Sequence, residues 1–113
     1  MMHKIYNALT TMPIFAIATL LFIVFRVFPP KKVNALYGYR TKRSMKNQTN
    51  WDFAQKSSLN ISLVFSAIIF LFQISLSFLL ENIEFLNIAL LILWFICLIG
   101  MFIYVERKLK RLN

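Results

Sequence analysis

The chain has 113 residues, of which 59% are hydrophobic, with a mean hydropathy of +0.67 and a net charge of +9. Soluble domains are usually about 45–50% apolar, so this composition favours a membrane protein. The single Cys, Cys97, lies in an apolar run, which excludes a disulfide framework and a Cys-pair metal site. The length indicates one domain, residues 1–113.

The first predicted element is an uncharged apolar run, residues 8–25. Its length is close to the ~20 residues with which a helix spans a hydrocarbon core of ~30 Å. Pro13 lies in its first turns, where a helix tolerates proline. A cleaved signal peptide is the alternative, but the run is long for one and two more apolar runs follow. We expect a first span here, ended by Arg26 and by Pro29-Pro30.

Two more uncharged runs, residues 59–80 and 85–105, predict two further spans, with an acidic turn at 81–84 between them. The expected fold is therefore an all-α membrane protein. It has three transmembrane helices and a basic cytoplasmic loop, residues 26–58, between the first and the second.

The distribution of Lys and Arg predicts the orientation. Residues 26–58 hold eight of the thirteen and the tail 106–113 holds four, whereas the other side has only Lys4. The positive-inside rule places the loop and the C-terminus in the cytoplasm and the N-terminus outside. Cations beside a membrane attract anionic lipid, so we expect lipid partners and no nucleic acid.

Two capping signals precede the second span. Residues Thr49–Asp52 fit the S/T-x-x-D/E capping box, which predicts one long helix that begins near Thr49 and continues to Leu80. Thr41 and Ser44 predict the cap of a short helix that reaches Lys46.

Polar residues follow one face of the predicted second helix. At 100° per residue they fall, with one Trp, within about a third of the circumference. In lipid such side chains prefer another helix or a water-filled crevice, so we expect them to point into the bundle, where they either pack helices or line a path for a ligand or water. This polar stripe comprises Trp51, Gln55, Ser58, Ser62, Ser66, Gln73 and Ser77.

The longest polar stretch is the central segment, Asn34–Gln55. Gly38 permits a sharp backbone turn between Tyr37 and Tyr39. Arg40 supplies a fork-shaped, permanently charged donor. A basic interfacial loop that anchors to anionic lipid is the general interpretation of such a segment.

A more specific pattern is present in the same segment: Asn34-x-x-Tyr37-Gly38-Tyr39-Arg40-Thr41-x-x-Ser44-x-x-Asn47, followed by Trp51-x-x-Ala54. This pattern resembles the SdpI family of bacterial membrane proteins. The chain departs from it at Gln55-Lys56, where the family often has Asn or His and then Arg, and the founding member has more transmembrane helices. The resemblance implies a multi-pass protein of the bacterial cytoplasmic membrane that protects its producer against a secreted toxic peptide. In the founding system the immunity protein also recruits a transcriptional repressor.

No nucleotide-binding, serine-hydrolase or zinc-protease motif is present in the sequence, so we expect no enzyme, no catalytic residue, no metal and no cofactor. None of the four acids lies within an apolar span, which counts against a proton-coupled transporter. These acids are Asp52, Glu81, Glu84 and Glu106.

Three functions follow as hypotheses. The first is immunity through binding, in which Asn34, Arg40 and Trp51, with the rest of the pattern and the polar stripe, capture a peptide, a lipid or a partner protein. The second is a membrane-anchored signalling or scaffold module whose loop docks a cytoplasmic regulator. The third is a small transporter subunit, a homo-oligomer in which the middle of the stripe lines a pore between protomers.

Overall fold

The computed structural model describes residues 13–82 and 84–112, and its regular structure there is α-helical. The three helices are α1, Ile14–Val27; α2, Gln48–Leu79; and α3, Glu84–Leu112. The middle helix, α2, packs against both others. The last turn of α1, the first turn of α2 and the last turns of α3 meet at one end of the bundle, which we call the loop end; the opposite end is the far end.

Helix α1 follows Pro13, whose φ of −78° is compatible with a helix start. It ends where the Phe28 N–H bonds Val24 O at 2.8 Å, directly before Pro29-Pro30. The predicted first span, residues 8–25, lies partly outside the described residues. The described helix has 14 residues, shorter than the ~20 needed to cross a bilayer.

Helix α2 is one unbroken helix of 32 residues, which confirms the prediction of a single long helix. The predicted Thr49 cap is wrong. The N-cap is Asn47, whose side chain accepts a hydrogen bond from the Asn50 N–H at 2.8 Å. Asn47 has an extended backbone and lies three residues before the donor, as a cap requires, whereas Thr49 is already inside the first turn.

The connection between α1 and α2, residues 28–47, contains no helix. Thr41 and Ser44 exchange bonds, from Thr41 N–H to Ser44 Oγ at 2.8 Å and from Ser44 N–H to Thr41 Oγ1 at 3.2 Å. The Met45 N–H bonds Thr41 O at 3.0 Å. The expected short helix is therefore only a single turn, because the extended backbone at Asn47 stops it.

Helix α3 contains the predicted third span and continues through the basic tail to Leu112. Val105, at the end of the predicted span, and Leu109, in the extra turns, are buried against Ala54 of α2 at the loop end. A second cluster lies towards the far end and joins all three helices; it comprises Phe15, Ala18, Ile69, Leu90 and Trp94.

Two helices, α2 and α3, are long and apolar enough to cross a membrane. Large apolar side chains remain on their outer faces: Leu71 is 63% exposed and Ile99 is 60% exposed. Lipid tails can cover such faces, whereas water would make them an aggregation hazard. The fold is thus an all-helical one of membrane type, and the count of three spans stays a prediction.

Candidate functional site

The site is organised around Gln55, which lies about two turns into α2 and is 5% exposed. Its Oε1 accepts a hydrogen bond from the Tyr39 N–H at 2.8 Å, and its Nε2 donates to Tyr39 O at 2.7 Å. One side chain thereby satisfies both backbone groups of a residue that belongs to no helix or strand. The amide of Gln55 thus holds the connection against α2.

Gly38 allows the connection to lie close to the Gln55 side chain. Its φ is +107°, in a region that L side chains rarely adopt. A Cβ at this position would lie 2.7 Å from Gln55 Oε1 and 3.0 Å from Pro30 Cγ. Both the backbone conformation and the space therefore require glycine.

The first turns of α2 hold the connection at two more points. Trp51 is fully buried, and its Nε1–H donates to Pro30 O at 2.6 Å. Asn50 is 1% exposed, and its Nδ2 donates to Arg43 O at 2.9 Å. These bonds fix the connection close to its start and close to its end.

Glu106 of α3 is a residue that the sequence patterns missed. The Tyr39 hydroxyl donates to Glu106 Oε1 at 2.8 Å, and Arg43 Nη1 lies 3.3 Å from Glu106 Oε2. The sequence feature that could have identified Glu106 is its position as the one acid at the start of a run of cations. Glu106 links the connection to α3.

The electrostatics follow from this contact. Burial and the adjacent Glu106 carboxylate raise the pKa of the Tyr39 phenol far above its ordinary value. Burial alone would raise the pKa of Glu106, but hydrogen bonds from Thr41, Tyr39 and Arg43 outweigh it, so that pKa is lowered. Glu106 is therefore an ionised acceptor at neutral pH, and Tyr39 remains a hydroxyl donor.

The outer face of the connection is different. Asn34 Oδ1 accepts from the N–H groups of Leu36 and Tyr37, both at 2.9 Å, which forms a tight turn. Arg40 is exposed and its Nη1 donates to Ala35 O. Trp51 is fully buried beneath Pro30, whereas Arg40 is exposed and Asn34 is partly exposed, so these three predicted binding residues do not share one exposed surface.

The seven residues of the polar stripe are all buried. Towards the far end they bond to α3 or to their own helix. Ser66 Oγ accepts from Trp94 Nε1–H at 2.9 Å, and Gln73 Nε2 donates to Asn87 Oδ1 at 3.2 Å. Ser77 Oγ donates to Ile74 O at 2.6 Å. This half of the stripe packs helices.

Nearer the loop end the stripe borders a cavity of about 230 Å³ that lies between the three helices. Ser58 and Ser62 line it, and Gly38, Tyr39 and Gln55 close it from the connection. The far-end half of the stripe therefore packs helices, whereas a path for a ligand or water at the loop end stays a prediction. No set of three His, Cys, Asp or Glu side chains that could hold a metal comes together within 13–82 and 84–112.

The family model described as SdpI/YfhL protein family matches residues 31–105, about two thirds of the chain. The chain belongs to the SdpI/YfhL family. A relative in Bacillus subtilis (strain 168), described as uncharacterized protein YfhL, is 35% identical over 88 residues, which cover 78% of this chain and 74% of the relative. No solved structure matches the chain.

Membership of the SdpI/YfhL family confirms the resemblance recognised in the central segment. The matched region includes the connection from Lys31 onward, all of α2 and α3 as far as Val105. Glu106 lies one residue beyond the matched region.

Proposed function

We propose that this chain is an SdpI-type immunity protein, which protects a bacterial cytoplasmic membrane against a secreted antimicrobial peptide by binding the peptide. Membership of the SdpI/YfhL family supports the proposal. The observation that carries it is the construction of the connection: buried side chains fix its inner side, and its outer side remains exposed.

That outer side offers apolar and cationic groups next to each other. Phe28 is 70% exposed, Leu36 86% and Tyr37 41%, and Arg40 and Lys42, which follow Tyr37 within five residues, are exposed as well. A surface that is already rigid loses little conformational entropy when a ligand binds. An amphipathic peptide fits such a surface, because its apolar and polar faces both find partners.

The proposed topology determines on which side of the membrane the connection binds the peptide. With three spans, the N-terminus outside and the C-terminus in the cytoplasm, the connection lies at the cytoplasmic headgroup level. The ligand is then a peptide that has already inserted into the bilayer. Binding there would keep it from assembling or from disrupting the membrane.

The test is survival of a sensitive strain that expresses the chain, challenged with the toxic peptide against which SdpI-type proteins protect. We expect protection, and Arg40→Ala should weaken it more than Lys42→Ala or Lys46→Ala. Arg40 also holds the turn through Ala35 O, whereas the two lysines supply charge without a comparable described bond.

Correct membrane insertion without protection would overturn the proposal. Equal losses in the three variants would instead show that only the positive charge of the surface matters. Insertion is checked by fractionation and by labelling single Cys variants at both ends of α2.

A second candidate is a membrane-anchored module whose connection docks a soluble regulator. One observation favours it: Lys42, Arg43, Lys46 and Lys110 surround an open depression at the loop end. Crosslinking from Lys42 or Lys46 in intact cells should then trap one acidic soluble protein. Recovery of lipid alone would argue against docking.

The transporter hypothesis gains no support. Ser62, Ser66 and Gln73 lie buried between helices of one chain, at 2%, 0% and 0% exposure. A pore between protomers would need these side chains on an outer face.

A further inference from the structure

A second cavity, of about 310 Å³, adjoins the one beneath the connection. Three cations line it, together with one carboxylate: Arg26, Lys31, Lys56 and Asp52. The two cavities have Pro30, Gln55 and Leu59 in common as lining residues, so they lie side by side, and we call the two together the groove. We call the cavity with the cations the basic mouth and the other the inner cavity.

The inner cavity differs from the basic mouth in chemistry. Its walls are mainly apolar and include Phe22, Phe25, Leu98 and Met101. Its volume of about 230 Å³ is below the ~300–1,000 Å³ of pockets that enclose a whole small ligand. This space suits part of a flexible hydrocarbon chain.

The basic mouth lies at the edge of the apolar part of the bundle. Arg26 is in the last turn of α1, and Lys56 precedes the uncharged stretch 59–80 of α2. That stretch rises about 33 Å, which matches a hydrocarbon core of ~30 Å. The cations of the mouth are therefore at the level of lipid headgroups.

Hydrogen bonds hold the basic mouth in shape. Gln48 Nε2 donates to Lys31 O and to Asp52 Oδ1, both at 2.7 Å. The bond from Trp51 to Pro30 O fixes the neighbouring backbone. Asp52 offsets only one of the three cations, so the mouth has an excess of positive charge.

We propose that this groove binds one anionic phospholipid, with its phosphate at the basic mouth and the end of an acyl chain in the inner cavity. The charge of the mouth selects an anionic headgroup, and the apolar walls select a hydrocarbon chain. The proposal goes beyond immunity, since it requires no toxic peptide.

Native mass spectrometry of the full chain, purified in a mild detergent, tests the proposal. The probes are phosphatidylglycerol and phosphatidylcholine with identical acyl chains. We expect one phosphatidylglycerol to bind about tenfold more tightly than phosphatidylcholine, because each cation near the surface favours an anionic lipid. Equal affinities for the two lipids would overturn the proposal.

Matched triple variants separate this site from general charge attraction. The triple Arg26→Gln, Lys31→Gln, Lys56→Gln should lower phosphatidylglycerol affinity about tenfold. The control triple Lys42→Gln, Lys46→Gln, Lys110→Gln removes the same charge from the depression between the connection and α3 and should leave that affinity almost unchanged. Equal losses in both triples would overturn the proposal.

Ser62→Leu tests the inner cavity by filling it while all three cations remain. Phosphatidylglycerol affinity should fall, with thermal unfolding in detergent showing that the variant is folded. Full affinity in the folded variant would also overturn the proposal, because the acyl chain would then not occupy the inner cavity. If Ser62→Leu does not fold, Met101→Phe narrows the same cavity and has the same two outcomes.

Discussion

The two halves of α2 use the same polar face in different ways. At the loop end, Gln55, Trp51 and Asn50 bond to the backbone of a segment without regular structure. At the far end, Ser66 and Gln73 bond to side chains of a neighbouring helix. Helical backbone already satisfies itself, whereas the connection depends on side chains for its hydrogen bonds. The loop end should therefore be far more sensitive to substitution than the far end.

The largest expected effect is at Gly38. Gly38→Ala adds a Cβ at 2.7 Å from Gln55 Oε1 and keeps a φ of +107° that alanine disfavours. We expect a loss of about 3 kcal/mol in the free energy of unfolding, from backbone strain together with the disrupted Gln55 bonds. Thermal unfolding in detergent measures it.

Gly100→Ala is the matched control, since a Cβ there meets nothing within 4 Å and Gly100 is inside α3. Alanine should be neutral or stabilise the helix by up to about 1 kcal/mol. If both glycine variants behave alike, the connection is not held as tightly as its contacts indicate.

The second prediction compares the same substitution, Gln to Leu, in the two halves of α2. Gln55→Leu removes the acceptor of the Tyr39 N–H and one of the two donors to Tyr39 O, which keeps its bond from Ser44 Oγ, so we expect a loss of about 2 kcal/mol. Gln73→Leu removes a bond between two helices in an apolar layer, for which about 0.5–1 kcal/mol is typical. Chemical denaturation of both variants in the same detergent gives the difference.

A loss at Gln73 as large as that at Gln55 would contradict the proposed difference between the halves. The far-end pair has a reason to be weak: the Nδ2 of Asn87 is buried and has no acceptor among the described residues. Part of the gain from the bond between Gln73 and Asn87 is therefore offset.

The third comparison concerns Glu106 and the dependence of stability on acid pH. The folded pKa of Glu106 is lowered, so its contribution to stability is complete above the ordinary value of 4.5 and is lost as the pH falls through the folded pKa. Glu106→Gln should cost about 1 kcal/mol at neutral pH, because Arg43 is half exposed and its ion pair is screened.

The same substitution should also flatten the decrease of stability below pH 4.5. The control is Glu84→Gln at the far end of α3, where the carboxyl is exposed. The pH profile of that control should follow the unsubstituted chain. If the stability of Glu106→Gln still falls as steeply below pH 4.5 as that of the unsubstituted chain, other groups cause the acid sensitivity.

Local patterns in the sequence predicted the helical parts well. The length of α2 followed from the absence of Pro and Gly, and the burial of the polar stripe followed from the 100° period. The turn at Gly38 followed from residue type, and the structure adds the reason why no side chain fits there.

The contacts that build the site could not be predicted in this way. The bond between Tyr39 and Gln55 joins residues 16 apart, and the bond between Tyr39 and Glu106 joins residues 67 apart. Periodicity has no information about such pairs. The cap at Asn47 was missed because the Thr49–Asp52 spacing also fits a capping box, and only the backbone conformation decides between them.

The pair of hydrogen bonds between the Gln55 side chain and the backbone of Tyr39 also has a mechanical consequence. A rotation of α2 by one residue would swing Gln55 through about 100° and break both bonds. The connection and the first turns of α2 therefore move as one rigid body. Glu106 ties the end of α3 to the same body, so we expect any opening of the groove to come from displacement of α1. Spin labels on α1 and α2 would detect it as a change in distance between these helices.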